Sequence, residues 1–421
     1  MTAQNSLPGA DNVTRLVLDN GLTVLIRENR SSPVVVLEGA LPTGSMHDPV
    51  GKTGLSSMVA SMLTRGSQQY DYTTFNETIE SIGANLTISS EIEQMNVGIT
   101  CLSEDFPTLL QVLADVLRNP TFPEDQLELV RRRRIVRLHE REQDTASMAN
   151  LRFHETIYGD HSYGRAVSGY LETIPLLQRA DLVDFHRQHF TPNGAVVVVA
   201  GDVQTKQALE LLQAHFGNWQ GAAPDRTLSP LPPFTSFERV LVPMQDKFQS
   251  DIVLGWRALE RKHPDYYKLR VANCILGVFG MMGRLGEVVR EQQGLAYYSY
   301  SNADGAQLAG LWQAAAGVNP ANVEQAIGSI LSEFERLMEE PVSAQELADS
   351  QAYLTGAMPL VLETNSGVAS VLLDIEWLGL GLDYLHRYPT FINSVTIDDV
   401  QQVARSLLDP EHYALVVAGP E

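Results

Sequence analysis

The chain has 421 residues, 44% of them hydrophobic and 19% charged, with a formal net charge of −21. At about 150 residues per domain this allows two or three domains with a sizeable core, and the acidic balance argues against a nucleic-acid partner. The longest apolar run, near Ala195–Ala200, falls far short of the roughly 20 residues that a membrane helix needs.

The segment Met1-Thr-Ala-Gln-Asn-Ser-Leu-Pro-Gly-Ala10 has neither a basic n-region nor an apolar h-region, so it does not read as a signal peptide. The expected compartment is the cytoplasm, or the periplasm if a leader has been removed. Thr14–Leu18 and Leu22–Arg27 flank Asp19-Asn-Gly21 and predict a hairpin. Val34–Leu41 predicts a third strand. Gly54–Thr64 and Phe75–Ile82 carry helical patterns, Asn85–Ser90 and Met95–Cys101 alternate as strands, and Phe106–Leu117 and Pro123–Glu142 predict helices. The basic block Arg131–Arg134, with Arg137 and then Glu140 and Glu142, reads as a solvated helix face. His186 and His189, spaced i, i+3 on a helix, have no third ligand near in sequence and read as a satisfied surface pair.

Past the middle, strands are expected at Val240–Pro243 and Ser250–Arg257, helices at Asp265–Leu276 and Met282–Gln293, and strands at Ala296–Asn302 and Leu308–Gly317. Helices then start at Asn322 and Ser343. Gly277–Gly286 is glycine-rich but lacks a following Gly-Lys-Ser/Thr, which argues against a phosphate loop. No Gly-x-Ser-x-Gly elbow is present. Cys101 and Cys274, the only cysteines, sit in apolar surroundings and read as buried small side chains.

The chain repeats itself once. Pro192-Asn-Gly-Ala-Val-Val-Val-Val-Ala-Gly201 returns as Pro410-Glu-His-Tyr-Ala-Leu-Val-Val-Ala-Gly419, an offset of 419 − 201 = 218 residues. Glu124-Asp-Gln-Leu echoes as Ala344-Gln-Glu-Leu. A period this long means duplicated domains and not a solenoid. The proline-rich stretch Gly221–Pro233 reads as a linker, giving repeats at 1–220 and 234–421. Strands and helices that cluster irregularly predict an α+β fold: two homologous domains, each a mostly antiparallel sheet packed with helices.

Two motifs carry a resemblance. Gly44-Ser45-Met46-His47, then Gly54-Leu-Ser-Ser57-Met-Val-Ala60-Ser61-Met62, resembles the opening of the pitrilysin/insulinase and mitochondrial-processing-peptidase family. Active members of that family carry a helix reading Gly-Leu-Ala-His-Phe-Leu-Glu-His-Met. Its two His bind Zn²⁺ from one helical face and its Glu activates the metal-bound water. On that frame Ser57 and Ser61 stand at the His positions and Ala60 at the Glu position. The family's third ligand, a Glu about 77 residues beyond the second His, falls at Leu138, or at Glu140 if the register slips by two. The resemblance therefore implies no metal in this chain. Tyr158-Gly-Asp-His161-Ser162-Tyr-Gly164 resembles the family's His-Pro-Tyr-Gly loop, with Ser162 for Pro. Gly83-Ala-Asn-Leu-Thr-Ile resembles the strand after the second helix, near the edge strand that pairs with substrate in active relatives.

The second motif, Gly283-Arg-Leu-Gly-Glu-Val-Val-Arg290-Glu-Gln-Gln-Gly294-Leu-Ala-Tyr297, closely matches the family's Ser-Arg-Leu…Arg-Glu-x-x-Gly-Leu-Ala-Tyr. In relatives that Arg donates to substrate carbonyls and that Tyr stabilises the tetrahedral oxyanion, so the resemblance gives Arg290 and Tyr297 these roles. Gly294 is placed to cap the helix ending near Arg290, and strand alternation puts Tyr298 on the face opposite Tyr297. Lost zinc positions beside a retained Arg/Tyr pair imply the non-zinc subunit of a heteromeric zinc peptidase. Its partner would be a paralogue carrying His-x-x-Glu-His and the zinc, its ligands peptides in an enclosed chamber. On this reading the chain has no metallopeptidase activity alone. The alternatives are an inert scaffold, like the core subunits of respiratory complexes, or a stand-alone peptide-binding protein.

Overall fold

A computed structural model describes residues 7–221, 229–308 and 310–420. Positions 222–228 of the expected linker, and the first six residues of the amino-terminal segment, lie outside the described residues. The chain forms two compact units: residues 1–138 with 165–227 and 360–386, and residues 139–164 with 228–359 and 387–421.

The first unit is built on six strands: β1 (Thr14–Val17), β2 (Thr23–Glu28), β3 (Val34–Leu41), β4 (Asn85–Ser90), β5 (Met95–Leu102) and β6 (Val196–Gly201). Their order is β1-β2-β6-β3-β5-β4. Only the β2–β6 pair is parallel. The run Val196-Val-Val-Val-Ala-Gly201 is apolar at every position because β6 is buried on both faces. Val197 and Val199 join the core formed with the Leu55–Leu63, Phe106–Arg118 and Glu124–Glu142 helices. Val196, Val198 and Ala200 face the other way, onto Val368, Ala369, Leu372 and Leu373 of the Asn365–Trp377 helix.

The second unit repeats the plan with β7 (Glu238–Pro243), β8 (Ser250–Arg257), β9 (Ala296–Ala303), β10 (Leu311–Val318) and β11 (Ala414–Gly419), ordered β7-β11-β8-β10-β9. Here β7–β11 is the parallel pair. The Val-rich strand β11, between β7 and β8, is again buried at every position. It packs against the Thr145–Tyr158 helix.

That helix belongs to the first sequence repeat, whereas the helix covering the first sheet belongs to the second. Their N-caps, Asp144 and Thr364, bond Ser147 N at 2.8 Å and Gly367 N at 3.0 Å. The caps stand 364 − 144 = 220 residues apart, the offset that also relates Glu124 to Ala344. Each repeat thus supplies one helix to the other repeat's sheet. The contiguous sequence repeats and the compact units divide the same chain differently.

The expected mostly antiparallel α+β architecture is present in both units. Two local expectations change. The helix expected at Met282–Gln293 is broken: Gly280–Gly283 leave helical geometry, with Met282 at φ +74°, and Gly286–Gln292 continues as a π-helix. Arg131 does not lie on a solvated face. It donates to the carbonyls of Ile174 at 2.5 Å and Leu177 at 2.7 Å, while Arg132 and Arg133 stay exposed.

Candidate functional site

The Leu55–Leu63 helix is nearly all buried, on one side against β4. Its start is fixed by Asp48, whose carboxylate accepts from Gly54 N at 2.7 Å and Ser56 N at 2.8 Å. Gly54 holds φ +96°, and a Cβ there would meet Gly169 Cα at 2.8 Å, so this entry turn requires glycine. Ser57 and Ala60 are buried and Ser61 half-buried. The Ser61 hydroxyl donates to the Ser57 carbonyl at 2.9 Å.

The Glu124–Glu142 helix runs alongside, joined to it through Arg134. Leu138 is 1% exposed and packs in the first core, and Glu140 is exposed. Arg134, one turn earlier, is the residue that reaches the two serines. Its Nη2 donates to Ser61 Oγ at 3.1 Å and lies 3.5 Å from the Ser57 carbonyl. The spacing count, which points to Leu138, does not consider Arg134. The recoverable signal was Arg131 and Arg134 at i, i+3, on one helical face.

Zinc needs deprotonated or neutral nitrogen, sulfur or carboxylate donors in tetrahedral array. Two hydroxyls, a methyl and a permanently charged guanidinium do not fit it. Among the described residues no group of three or more His, Cys, Asp or Glu is disposed to hold a metal. His186 and His189 do not converge. His186 Nε2 bonds the Leu117 carbonyl at 2.8 Å and burial holds its pKa below the ordinary value, while His189 packs on His47 and Phe185. His161 is buried. Its Nδ1 accepts from Tyr163 N at 3.2 Å, so Nε2 carries the proton and donates to the Ser229 carbonyl at 3.0 Å.

In the second unit, Val289 is fully buried and anchors the π-helical turn. Gly294, at φ +63°, donates to the Arg290 carbonyl at 3.0 Å, the closing bond expected of it. The Arg290 side chain is about one-third exposed, its Nε 3.5 Å from Glu291. Upstream, Arg284 Nε bonds Glu346 at 2.6 Å and ties the broken segment to the Ala344–Val361 helix. Burial alone would raise the Glu346 carboxyl. The Arg284 guanidinium and Ser343 outweigh it and hold the carboxyl down at about 2.

Tyr297 sits in a β-bulge. Val318 pairs with Ala296 and Gly317 with Tyr298, so Tyr297 is the extra residue on β9. The bulge slips the strand's alternation. Ala296, Ser299, Ser301 and Ala303 are buried, and Tyr298 rests beside Tyr300, with ring centroids 5.8 Å apart, outside that set. The bulge interrupts the simple alternation on which the expected placement of Tyr298 opposite Tyr297 rests. Tyr297 is 81% exposed. Tyr298 is anchored by its hydroxyl to Asp251, a buried carboxylate that also accepts from Thr145 Oγ1 at 2.5 Å and Gln249 Nε2 at 3.1 Å. Burial and then this bond push the Tyr298 phenol well up. Asp251 escaped sequence reasoning because only the fold brings residues 145, 251 and 298 together.

Residues 23–170 match the family model described as insulinase (peptidase family M16), and residues 177–354 the one described as peptidase M16 inactive domain. An uncharacterized zinc protease of Streptomyces coelicolor is 26% identical over 423 residues, covering 98% of this chain and 90% of that protein. The mitochondrial cytochrome b-c1 complex subunit 1 of Bos taurus is 27% identical over 264 residues, covering 62% of this chain and 54% of that protein. The crystal structure of a peptidase M16 inactive domain from Pseudomonas fluorescens superposes with a TM-score of 0.90 at 23% identity, covering 97% of this chain and 98% of that one. With both halves matched in order and the fold shared end to end, the chain belongs to peptidase family M16, the insulinase family.

Proposed function

We propose that this protein is the non-zinc subunit of a heteromeric M16 zinc peptidase. It contributes Arg290 and Tyr297 to a site whose metal is held by a His-x-x-Glu-His paralogue, and it forms part of an enclosed peptide-binding chamber. One contrast carries the reading. The first-half site holds two hydroxyls and a methyl where ligands and base would stand, with a guanidinium beside them, whereas Tyr297 is held on a bulge with its ring in the open. An oxyanion donor has to be accessible and pre-aimed, and a bulge is a device that re-aims a side chain. The Tyr297 side chain is largely exposed, which would leave its hydroxyl accessible to a substrate.

The test combines the purified chain with a His-x-x-Glu-His paralogue from the same source. The expected result is a stable hetero-oligomer that cleaves peptides, with no cleavage by this chain alone. Peptidase activity of the isolated chain sinks the proposal.

The similarity to a cytochrome b-c1 subunit favours one second reading, an inert scaffold within a larger complex. The two readings separate on Arg290 and Tyr297. A scaffold tolerates their substitution at no cost to any partner's activity.

A further inference from the structure

A permanently charged side chain stands between the Leu55–Leu63 and Glu124–Glu142 helices. Arg134 Nη2 lies 3.1 Å from Ser61 Oγ and 3.5 Å from the Ser57 carbonyl, the two residues at the degenerate ligand positions. Because the Ser61 hydroxyl spends its proton on the Ser57 carbonyl at 2.9 Å, its lone pairs are left to accept. The helix is turned to deliver this contact. Arg131, on the same face, has a side chain only 12% exposed and clamps the Ile174 and Leu177 carbonyls. Leu138, one turn beyond Arg134, is sunk in the core.

We propose that Arg134 is a resident substitute for the metal: its guanidinium occupies the cation's place, ties the two helices together, and keeps the first-half site closed to divalent ions. The group cannot shed its charge in a protein, so a divalent ion entering beside it meets a fixed like charge at close range. Loss of the ligands alone would leave a polar hole. Replacement by arginine keeps the positive charge and the helix–helix tie while removing the chemistry. The inference rests on reading Ser57, Ala60 and Ser61 as the degenerate positions. Its test measures metal and helix opening in this chain alone, so it stands or falls separately from any partner or activity.

The experiment rebuilds the metal site twice in the full chain, as S57H/A60E/S61H with Arg134 kept and as the same set plus R134E. Each is exposed to zinc, desalted and read for metal by mass spectrometry, with the cobalt spectrum reporting tetrahedral ligation. The expected result is less than about 0.1 equivalent in the first and about one in the second. A full equivalent with Arg134 in place overturns the proposal. So does a metal-free R134E variant whose circular dichroism and melting are those of a folded chain. Should that variant misfold, R134M in the native background decides. Amide exchange over residues 55–63 is expected to quicken by about tenfold, and unchanged exchange overturns the tie.

Discussion

At the scale of single residues, the chemistry depends on what each side chain is left free to do. Tyr297 projects from a bulge that Tyr298 pins to buried Asp251. Tyr298→Phe leaves that carboxylate one donor short, which is expected to cost about 1–3 kcal/mol, read as a lowered denaturant midpoint at unchanged slope. Glu346 supplies a pH signature. Its folded pKa, about 2, lies below its ordinary 4.5, so its stabilising contribution is present above about pH 4.5 and is lost as pH falls toward 2. Against Glu346→Gln, the wild-type advantage is therefore expected to be largest at neutral pH and to shrink through the acid limb, as acid titrations of both proteins monitored by circular dichroism will show. Ser57, Ala60, Ser61, Arg290 and Tyr297 could all be singled out from sequence because short motifs fix them locally. Arg134 could not, since the residue facing the two serines depends on how 60 intervening residues are looped, and a shift of one helical turn exchanges Leu138 for Arg134.

At the scale of elements, strands read more truly than helix breaks. Val34–Leu41 and Ser250–Arg257 fold with the expected limits because β-branched runs bounded by polar residues leave few alternatives. The π-turn at Gly286–Gln292 left no such trace. It differs from an α-helix in hydrogen-bond register, which residue type hardly marks. The helices Thr145–Tyr158 and Asn365–Trp377 also went unassigned. The second of these spreads its apolar residues, so no clean stripe announces the face that covers the sheet. That cover is nonetheless central to the first unit. Leu372 is fully buried against the sheet, and Leu372→Ala is expected to cost about 2–5 kcal/mol, measurable as a loss of melting temperature with the native circular dichroism retained below it.

For the whole molecule, duplication was visible from the 218-residue offset, but the exchange of helices between repeats was not, because covering a sheet is a long-range choice. It carries a prediction. Neither repeat expressed alone, 1–220 or 234–421, is expected to be a stable soluble protein, since each lacks the helix that covers one face of its sheet. Co-expression is expected to restore both, and independent folding of either fragment, seen as a cooperative melt, would contradict the exchange. The proposed chemistry is also divided between the repeats: Arg134 meets Ser61 in one and Tyr297 stands exposed in the other, which is what supports our proposal that the protein is part of a larger peptidase. The most direct measurement of that claim is kcat/KM for peptide cleavage by the complex with a zinc-bearing paralogue, with wild-type chain and with Tyr297→Phe. The account predicts a fall of about 10²- to 10³-fold, the usual loss of one oxyanion donor, with the complex still assembled; a complex that keeps its full rate without the Tyr297 hydroxyl would contradict it.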